Sequence, residues 1–321
     1  MVKALLTLGT AFYHADLPFI KDIQDLGIDL TYRISGKSDI TDIIKDIDIY
    51  ITGVDKIDKK VIDAAPKLKY IVKFGTGLDN IDLDYASQKG ILVTNAPGQN
   101  ASAVAELAFG LMLSASRNIP QSNESVKNGL WEIMLGHDLE GKTLGIIGFG
   151  TIGQKLAKRA YGFEMDILAY GQYKNDEEAK KWNVNFVELE ELLASSDFII
   201  ISTSLKPSTF HLINKDNLNL MKKTAFLINI SRGNIIDEDA LMEVLKKNQI
   251  GGAALDVFKT EPPNLEFAQL PNVIGTPHIG GSTYECAYKI GEITVNNIRS
   301  FLKHQPLTNV VNGDLLASLK K

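Results

Sequence analysis

Near the middle of the chain runs Leu144-Gly145-Ile146-Ile147-Gly148-Phe149-Gly150-Thr151-Ile152-Gly153. A short apolar run breaks into glycines and then continues as a helical pattern over 152–161. Each glycine has a physical reason. Gly148 permits a tight turn, Gly150 lets backbone N–H groups approach a bulky anion, and Gly153 allows the helix to pack against the strand. The helix N-terminus, opening at Thr151 and Ile152, then turns its positive end toward that anion. Strand, glycine turn and helix together point to the pyrophosphate of a dinucleotide.

The pattern extends outward in both directions. Apolar, β-branched runs at 2–7, 48–52, 69–73 and 91–94 read as buried strands, with helical segments at 17–26 and 58–64 between them. A second series follows at Thr143–Ile147, 165–169, 198–202, 225–230 and 252–256, separated by helices at 152–161, 187–195 and 238–247. Such alternation argues for parallel sheets covered on both faces. Between the series lies 102–116, nearly all small and apolar and therefore expected to be a fully buried helix. A second long helical pattern runs over 284–302. The expected architecture is α/β: a Rossmann-like doubly wound sheet, residues 100–286, inserted into a flavodoxin-like domain made of 1–99 and 287–321. The tail after Asn312 is expected to fray.

Composition removes several classes. The 321 residues carry 34 basic and 39 acidic side chains, a formal net charge of -5, with no basic stripe of the kind nucleic-acid binding requires. A single cysteine, Cys286, forms no internal disulfide, which fits a reducing, cytoplasmic setting. The opening run is too short for a secretory signal, and no stretch approaches the roughly 18 uncharged apolar residues of a membrane span. No cluster has metal-ligand spacing, so no metal is expected. Of the basic residues only five are arginine: Arg33, Arg117, Arg159, Arg232 and Arg299.

A dinucleotide site normally ends its second strand with an acid that grips the ribose 2′-hydroxyl of NAD. Here that strand leads into Gly171-Gln172-Tyr173-Lys174, and Asp166 lies too early to replace the acid. Gln172, Tyr173 and Lys174 are thus cofactor-facing candidates. A carboxylate missing there removes repulsion toward a 2′-phosphate, so the cofactor is NADP or both NAD and NADP. Selection of NAD by another loop residue is the competing reading.

Three further polar groups follow strand ends, where open α/β sheets bind ligands. They are Arg232 in Asn229-Ile230-Ser231-Arg232-Gly233, the acids of Asp256-Val257-Phe258-Lys259-Thr260-Glu261-Pro262-Pro263, and His278 in Thr276-Pro277-His278-Ile279-Gly280-Gly281. In this order, after the glycine loop, they make the chain resemble the D-isomer-specific 2-hydroxyacid dehydrogenases over nearly its whole length. That family includes phosphoglycerate dehydrogenases and glyoxylate/hydroxypyruvate reductases. The resemblance implies hydride transfer between NAD(P)H and a small 2-keto acid. Arg232 would clamp the substrate, His278 would act as general acid/base, and Glu261 would tune the imidazole.

The resemblance also implies cofactor contacts at Thr203, Ile230, Ser231, Asp256 and Gly280. Substrate contacts would come from Thr76 and Gly77, with Leu78 adjoining, and from Asn100. Lys73 stands where phosphoglycerate dehydrogenases often carry a phosphate-binding arginine. Thr52 stands where some of them have another, which counts against 3-phosphoglycerate. His14, His137, His211 and His304 lie outside any such setting. A homodimer is expected, with 105–115 and 118–135 as contributors. The alternative of another class is a dinucleotide-sensing, corepressor-like regulator on the same fold. An L-lactate or L-malate dehydrogenase would carry its dinucleotide loop near the N-terminus rather than at Gly148.

Overall fold

A computed structural model describes residues 1–37 and 39–318. The chain divides into two compact units, Met1–Asn100 with Ser282–Lys321, and Ala101–Gly281. The second join falls at 281/282 rather than at the expected 286/287. Thr283 caps the helix Tyr284–Leu302, its hydroxyl accepting the Cys286 N–H at 3.1 Å, so the helix enters the first unit whole.

The first unit is a five-stranded sheet of β1 (Lys3–Leu8), β2 (Asp29–Ile34), β3 (Ile49–Thr52), β4 (Tyr70–Lys73) and β5 (Leu92–Thr94). Its order is β2-β1-β3-β4-β5, with every pairing parallel. This is the flavodoxin-like arrangement. Successive residues feed opposite faces. Leu6, Ile51 and Val72 pack with Phe19 and with Ile290 and Ile298 of the long helix, whereas Leu5, Tyr50 and Ile71 pack with Ile44, Val61 and Ile62. β2 was not read from the sequence. It is a half-buried edge strand whose apolar Leu30, Tyr32 and Ile34 alternate with polar neighbours.

The exposed edge of this sheet, β5, is covered by the returning chain. The Val311 N–H donates to Val93 O and the Asn95 N–H to Asn309 O. Asn312, 1% exposed, accepts the Val93 N–H at 3.0 Å and donates to Ile91 O at 2.8 Å and Ser87 Oγ at 3.0 Å. Of the tail expected to fray, Gly313–Ser318 is instead helical, and 319–321 lie outside the described residues.

The second unit is a seven-stranded sheet of β6 (Thr143–Ile147), β7 (Asp166–Tyr170), β8 (Val184–Phe186), β9 (Phe198–Ile201), β10 (Phe226–Asn229), β11 (Gly252–Leu255) and β12 (Val273–Gly275). All pairings are parallel, in the order β12-β11-β10-β9-β6-β7-β8. The order reverses between β6 and β9, the switch point at which doubly wound sheets bind ligands. β8 and β12 were missed because each is a three-residue strand at a sheet edge.

Helix Ala101–Ser116 sits in the core of this unit through Ala105, Ala108, Leu111 and Met112. It is not buried all round: Gly110 and Glu106 are exposed, and Glu106 pairs with Arg159 at 2.6 Å. Beyond helix Ile119–Lys127 the chain runs without regular structure and presents Trp131, Ile133 and Leu135 at 86%, 88% and 93% exposure. Among the described residues no helix is long and apolar enough to cross a membrane.

Replacing Asn312 by Ala removes three buried hydrogen bonds and leaves the Val93 N–H and Ile91 C=O without those partners. Urea unfolding is expected to show a loss of about 2–4 kcal/mol, read as a lower midpoint at unchanged slope.

Candidate active site

The glycine loop between β6 and the helix Thr151–Gly162 has the shape its sequence implied. Gly148 lies at φ +101°, a region open to glycine, and a Cβ there would stand 2.6 Å from the Thr203 backbone nitrogen. A Cβ on Gly153 would meet Gly148 O at 2.2 Å. Gly150 differs, because a Cβ there would meet nothing within 4 Å. That open space lies at the N-cap of a 12-residue helix whose first turn no side chain caps. Uncapped N–H groups facing free space suit a pyrophosphate. The residues present therefore fit a dinucleotide held at this loop.

Beside the loop lies a hollow of about 280 Å³ lined by Gly148, Gly150, Gln172, Tyr173, Thr203 and Lys206, among others. Gly171 borders it, and a Cβ on Gly171 would lie 3.5 Å from Gly148 Cα. That is ordinary van der Waals contact, so a side chain would fit there, yet none of the lining residues is acidic. Gln172 and Tyr173 both line the hollow. Lys174 does not line the hollow; its ammonium stands over the Phe186 ring, 5.6 Å from the centroid. The Ser231 hydroxyl donates to O of the lining residue Thr203, and Ile230 is buried; neither Ser231 nor Ile230 lines the hollow.

The second half of the site is three loops at the ends of β10, β11 and β12. Asn229, 0% exposed, accepts the Ser231 N–H at 3.0 Å and donates to Arg232 O at 3.0 Å, which fixes the turn carrying Arg232. Gly233 then lets that turn meet the next loop. A Cβ on it would lie 2.0 Å from the Phe258 carbonyl carbon, a distance no alanine tolerates. The Phe258 N–H in turn points to Glu261 Oε1 at 3.4 Å.

His278 Nδ1 lies 3.0 Å from Glu261 Oε2, with the two side chains 44% and 43% exposed. His278 has φ +53°, and its N–H donates to Asp256 O and Thr276 O. The loop that holds it is organised by Asp256, which is 1% exposed. Its Oδ1 accepts the Thr276 hydroxyl at 2.6 Å and the Ile279 N–H at 2.8 Å, and its Oδ2 accepts the Gly280 N–H at 2.9 Å. Asp256 and Gly280, expected as cofactor contacts, thus bond to each other around the histidine. Partial burial pushes the Glu261 carboxyl upward in pKa. The His278 hydrogen bond and charge, the Phe258 N–H and the Arg232 charge outweigh that burial and hold it below its ordinary value. Arg232, Glu261 and His278 are therefore one electrostatic group, whose arginine and imidazole suit an anionic, carbonyl-bearing ligand.

In the first unit, the Thr76 hydroxyl bonds to Ala96 O at 3.1 Å and Asn100 Oδ1 at 3.2 Å, and Asn95 donates to Thr76 O at 2.8 Å. Gly75, at φ +150°, precedes Thr76 and Gly77. Lys73 has a different setting from the one its position suggested. It is 8% exposed, and its ammonium donates to Gly53 O and to Asn80 Oδ1, the latter at 2.7 Å. Thr52 is fully buried. Among the described residues no group of acids, histidines and cysteine could hold a metal ion.

Sequence reasoning missed Asn229, Asn95, Lys206 and the anchoring role of Asp256. A visible signal existed for the two that end apolar strand runs, Asn229 and Asp256. Lys206 carried none, since its loop bears no motif.

The profile of the D-isomer specific 2-hydroxyacid dehydrogenase NAD binding domain matches residues 109–280. A glyoxylate reductase of Thermococcus litoralis is 43% identical over 286 residues, 86% of each chain. A D-3-phosphoglycerate dehydrogenase of Methanocaldococcus jannaschii is 43% identical over 318 residues, 97% of this chain and 60% of that one. The D-lactate dehydrogenase of Aquifex aeolicus, solved with NAD and lactic acid, superposes with a TM-score of 0.83 at 30% identity, covering 97% of this chain and 99% of that one. The fold and site define a nicotinamide-dinucleotide-dependent oxidoreductase. The chain belongs to the D-isomer-specific 2-hydroxyacid dehydrogenase family.

Two measurements check the site's construction. Gly233→Ala is expected to destabilise the protein by about 2–4 kcal/mol in urea unfolding, because two backbones must separate. Glu261 is expected to titrate below the ordinary ~4.3 in a carboxyl-resolved NMR titration. Since its pKa is depressed on folding, the stability it adds is present above its unfolded value and is lost as pH falls through the folded one. In His278→Ala the burial contribution remains and the largest lowering contribution goes, so the Glu261 pKa should rise; an unchanged value would contradict the pairing.

Proposed function

We propose that the protein reduces a small 2-keto acid to the D-2-hydroxy acid with NAD(P)H, and that glyoxylate and hydroxypyruvate are its best substrates. The observation that carries this reading is the Glu261–His278 contact of 3.0 Å, with the Arg232 charge felt at the same carboxylate. Arg232 binds the carboxylate and carbonyl oxygens through its planar fork. The His278 imidazolium hydrogen-bonds the carbonyl oxygen and delivers its proton as the alkoxide forms. Glu261 holds the ring by Nδ1, which leaves the other ring nitrogen for the substrate. When bound, the nicotinamide supplies the hydride.

In the first unit, Thr76, Gly77 and Asn100 are proposed to meet the substrate carboxylate, with Lys73 bracing their loop from inside. That buried setting of Lys73, with Thr52 uncharged, disfavours a phosphorylated substrate such as 3-phosphohydroxypyruvate. The cofactor is proposed to lie along Gly148, Gly150, Thr151, Ile152 and Gly153, with Gln172, Tyr173 and Thr203 at its adenosine end and Ser231, Asp256 and Gly280 toward its reactive end. The absence of an acid near Gly171 favours NADP(H), alone or beside NAD(H).

The exposed Trp131, Ile133 and Leu135 are the surface proposed to bury itself in a homodimer in a cytoplasmic setting. The competing reading is a dinucleotide-sensing regulator that keeps the trio without turning over substrate.

Initial rates with glyoxylate, hydroxypyruvate, phosphohydroxypyruvate and pyruvate, each with NADH and NADPH, separate these readings. Turnover of the first two is expected, and silence with all four would favour the regulator. His278→Ala is expected to lower turnover by about 10²- to 10⁴-fold. A near-wild-type rate would remove His278 from the role.

A further inference from the structure

We infer that Lys206, on the loop after β9, is the residue that meets the 2′-phosphate of NADP(H), and that Lys174 is not. The inference rests on the hollow beside the glycine loop being the adenosine end of the cofactor site, as proposed above. Three observations carry it.

The first is the lining itself. One wall comes from the β7 loop through Gly171, Gln172 and Tyr173, which brings no acid to repel a phosphate. The β9 loop also contributes to the lining, through Lys206 and Ser208 among others. Lys206 is the one cation among the lining residues, and the structure shows no ion pair for it among the described residues.

The second is that its backbone is set in place. The Lys206 N–H donates to Thr209 Oγ1 at 2.8 Å, and the Thr209 hydroxyl donates to Ser204 O at 2.7 Å. The Thr209 and Phe210 N–H groups both donate to Lys206 O at 3.0 Å. The turn is thus fixed, and Lys206 is an exposed residue of the lining, where a lysine suits capture of a phosphate as a point charge. The third is the place of Lys174. It follows the β7 loop in sequence, yet its ammonium stands over Phe186 and its side chain is absent from the lining.

Calorimetric titration with 2′,5′-ADP and with 5′-AMP tests this without turnover. The wild-type protein is expected to prefer 2′,5′-ADP, and the preference should shrink as salt is raised. Lys206→Ala should lower the ratio of the two affinities about tenfold, which corresponds to roughly 1.4 kcal/mol. Lys206→Arg should restore most of the ratio. The same ratio in Lys174→Ala should match wild type. Equal affinities in the wild type, an unchanged ratio in Lys206→Ala, or a tenfold loss in Lys174→Ala would each overturn the inference.

The outcome is separable from that for the enzyme reading. Binding of 2′,5′-ADP through Lys206 with no keto acid turned over would leave this inference standing and sink the reductase. Brisk turnover with NADH and no 2′,5′-ADP preference would do the reverse.

Discussion

The catalytic half of the second unit depends on one close approach of two backbones. At Gly233 the Arg232 turn presses against Phe258 so closely that no side chain atom fits between them. That contact ties the loop after β10 to the loop after β11, and the latter carries Glu261. A parallel sheet delivers both loops to one edge, but a sheet alone leaves neighbouring loops free to splay. Gly233 removes that freedom. Arginine and glutamate are thereby brought into electrostatic reach of each other, and the histidine is drawn in through its hydrogen bond to the carboxylate.

The histidine loop is ordered by a different device. Asp256 is buried and accepts three donors from residues 276–280, so its carboxyl oxygens are satisfied within hydrogen-bonding distance. A buried polar group of this kind is costly to leave unsatisfied, and that cost makes the loop conformation specific. His278 pays part of this order with a left-handed backbone, which Asp256 O and Thr276 O hold through its N–H.

Much of this was legible beforehand, and the reasons differ by element. The strands buried on both faces, such as β3, β4, β9 and β11, appear in sequence as unbroken apolar runs and were read to within a residue or two. The edge strands β2, β8 and β12 are short or half wet, so their local signal is that of a loop. Arg232, Glu261 and His278 were legible because each sits just past a strand end in a glycine- or proline-rich loop. Lys206 was not, because its relevance comes from lining the same hollow as the β7 loop, and strand order at the switch point is a non-local property. Lys174 was misplaced for the same reason: sequence shows its neighbours along the chain but not the Phe186 ring beneath it. Lys73 stood as a phosphate-binding candidate because nothing local reveals that its ammonium bonds to Gly53 and Asn80.

The latch at Asn312 bears on how the protein is made. Residues 101–281 form a continuous unit, so their sheet is complete once the ribosome has released that stretch. The first unit begins sooner and finishes later, because the edge of β5 gains its cover only when Asn309, Val311 and Asn312 emerge. Until residues 309–312 have emerged, therefore, the nascent first unit carries an open strand edge, the kind of surface on which chains pair wrongly. The order of synthesis makes residues 309–312 guardians of the first hundred.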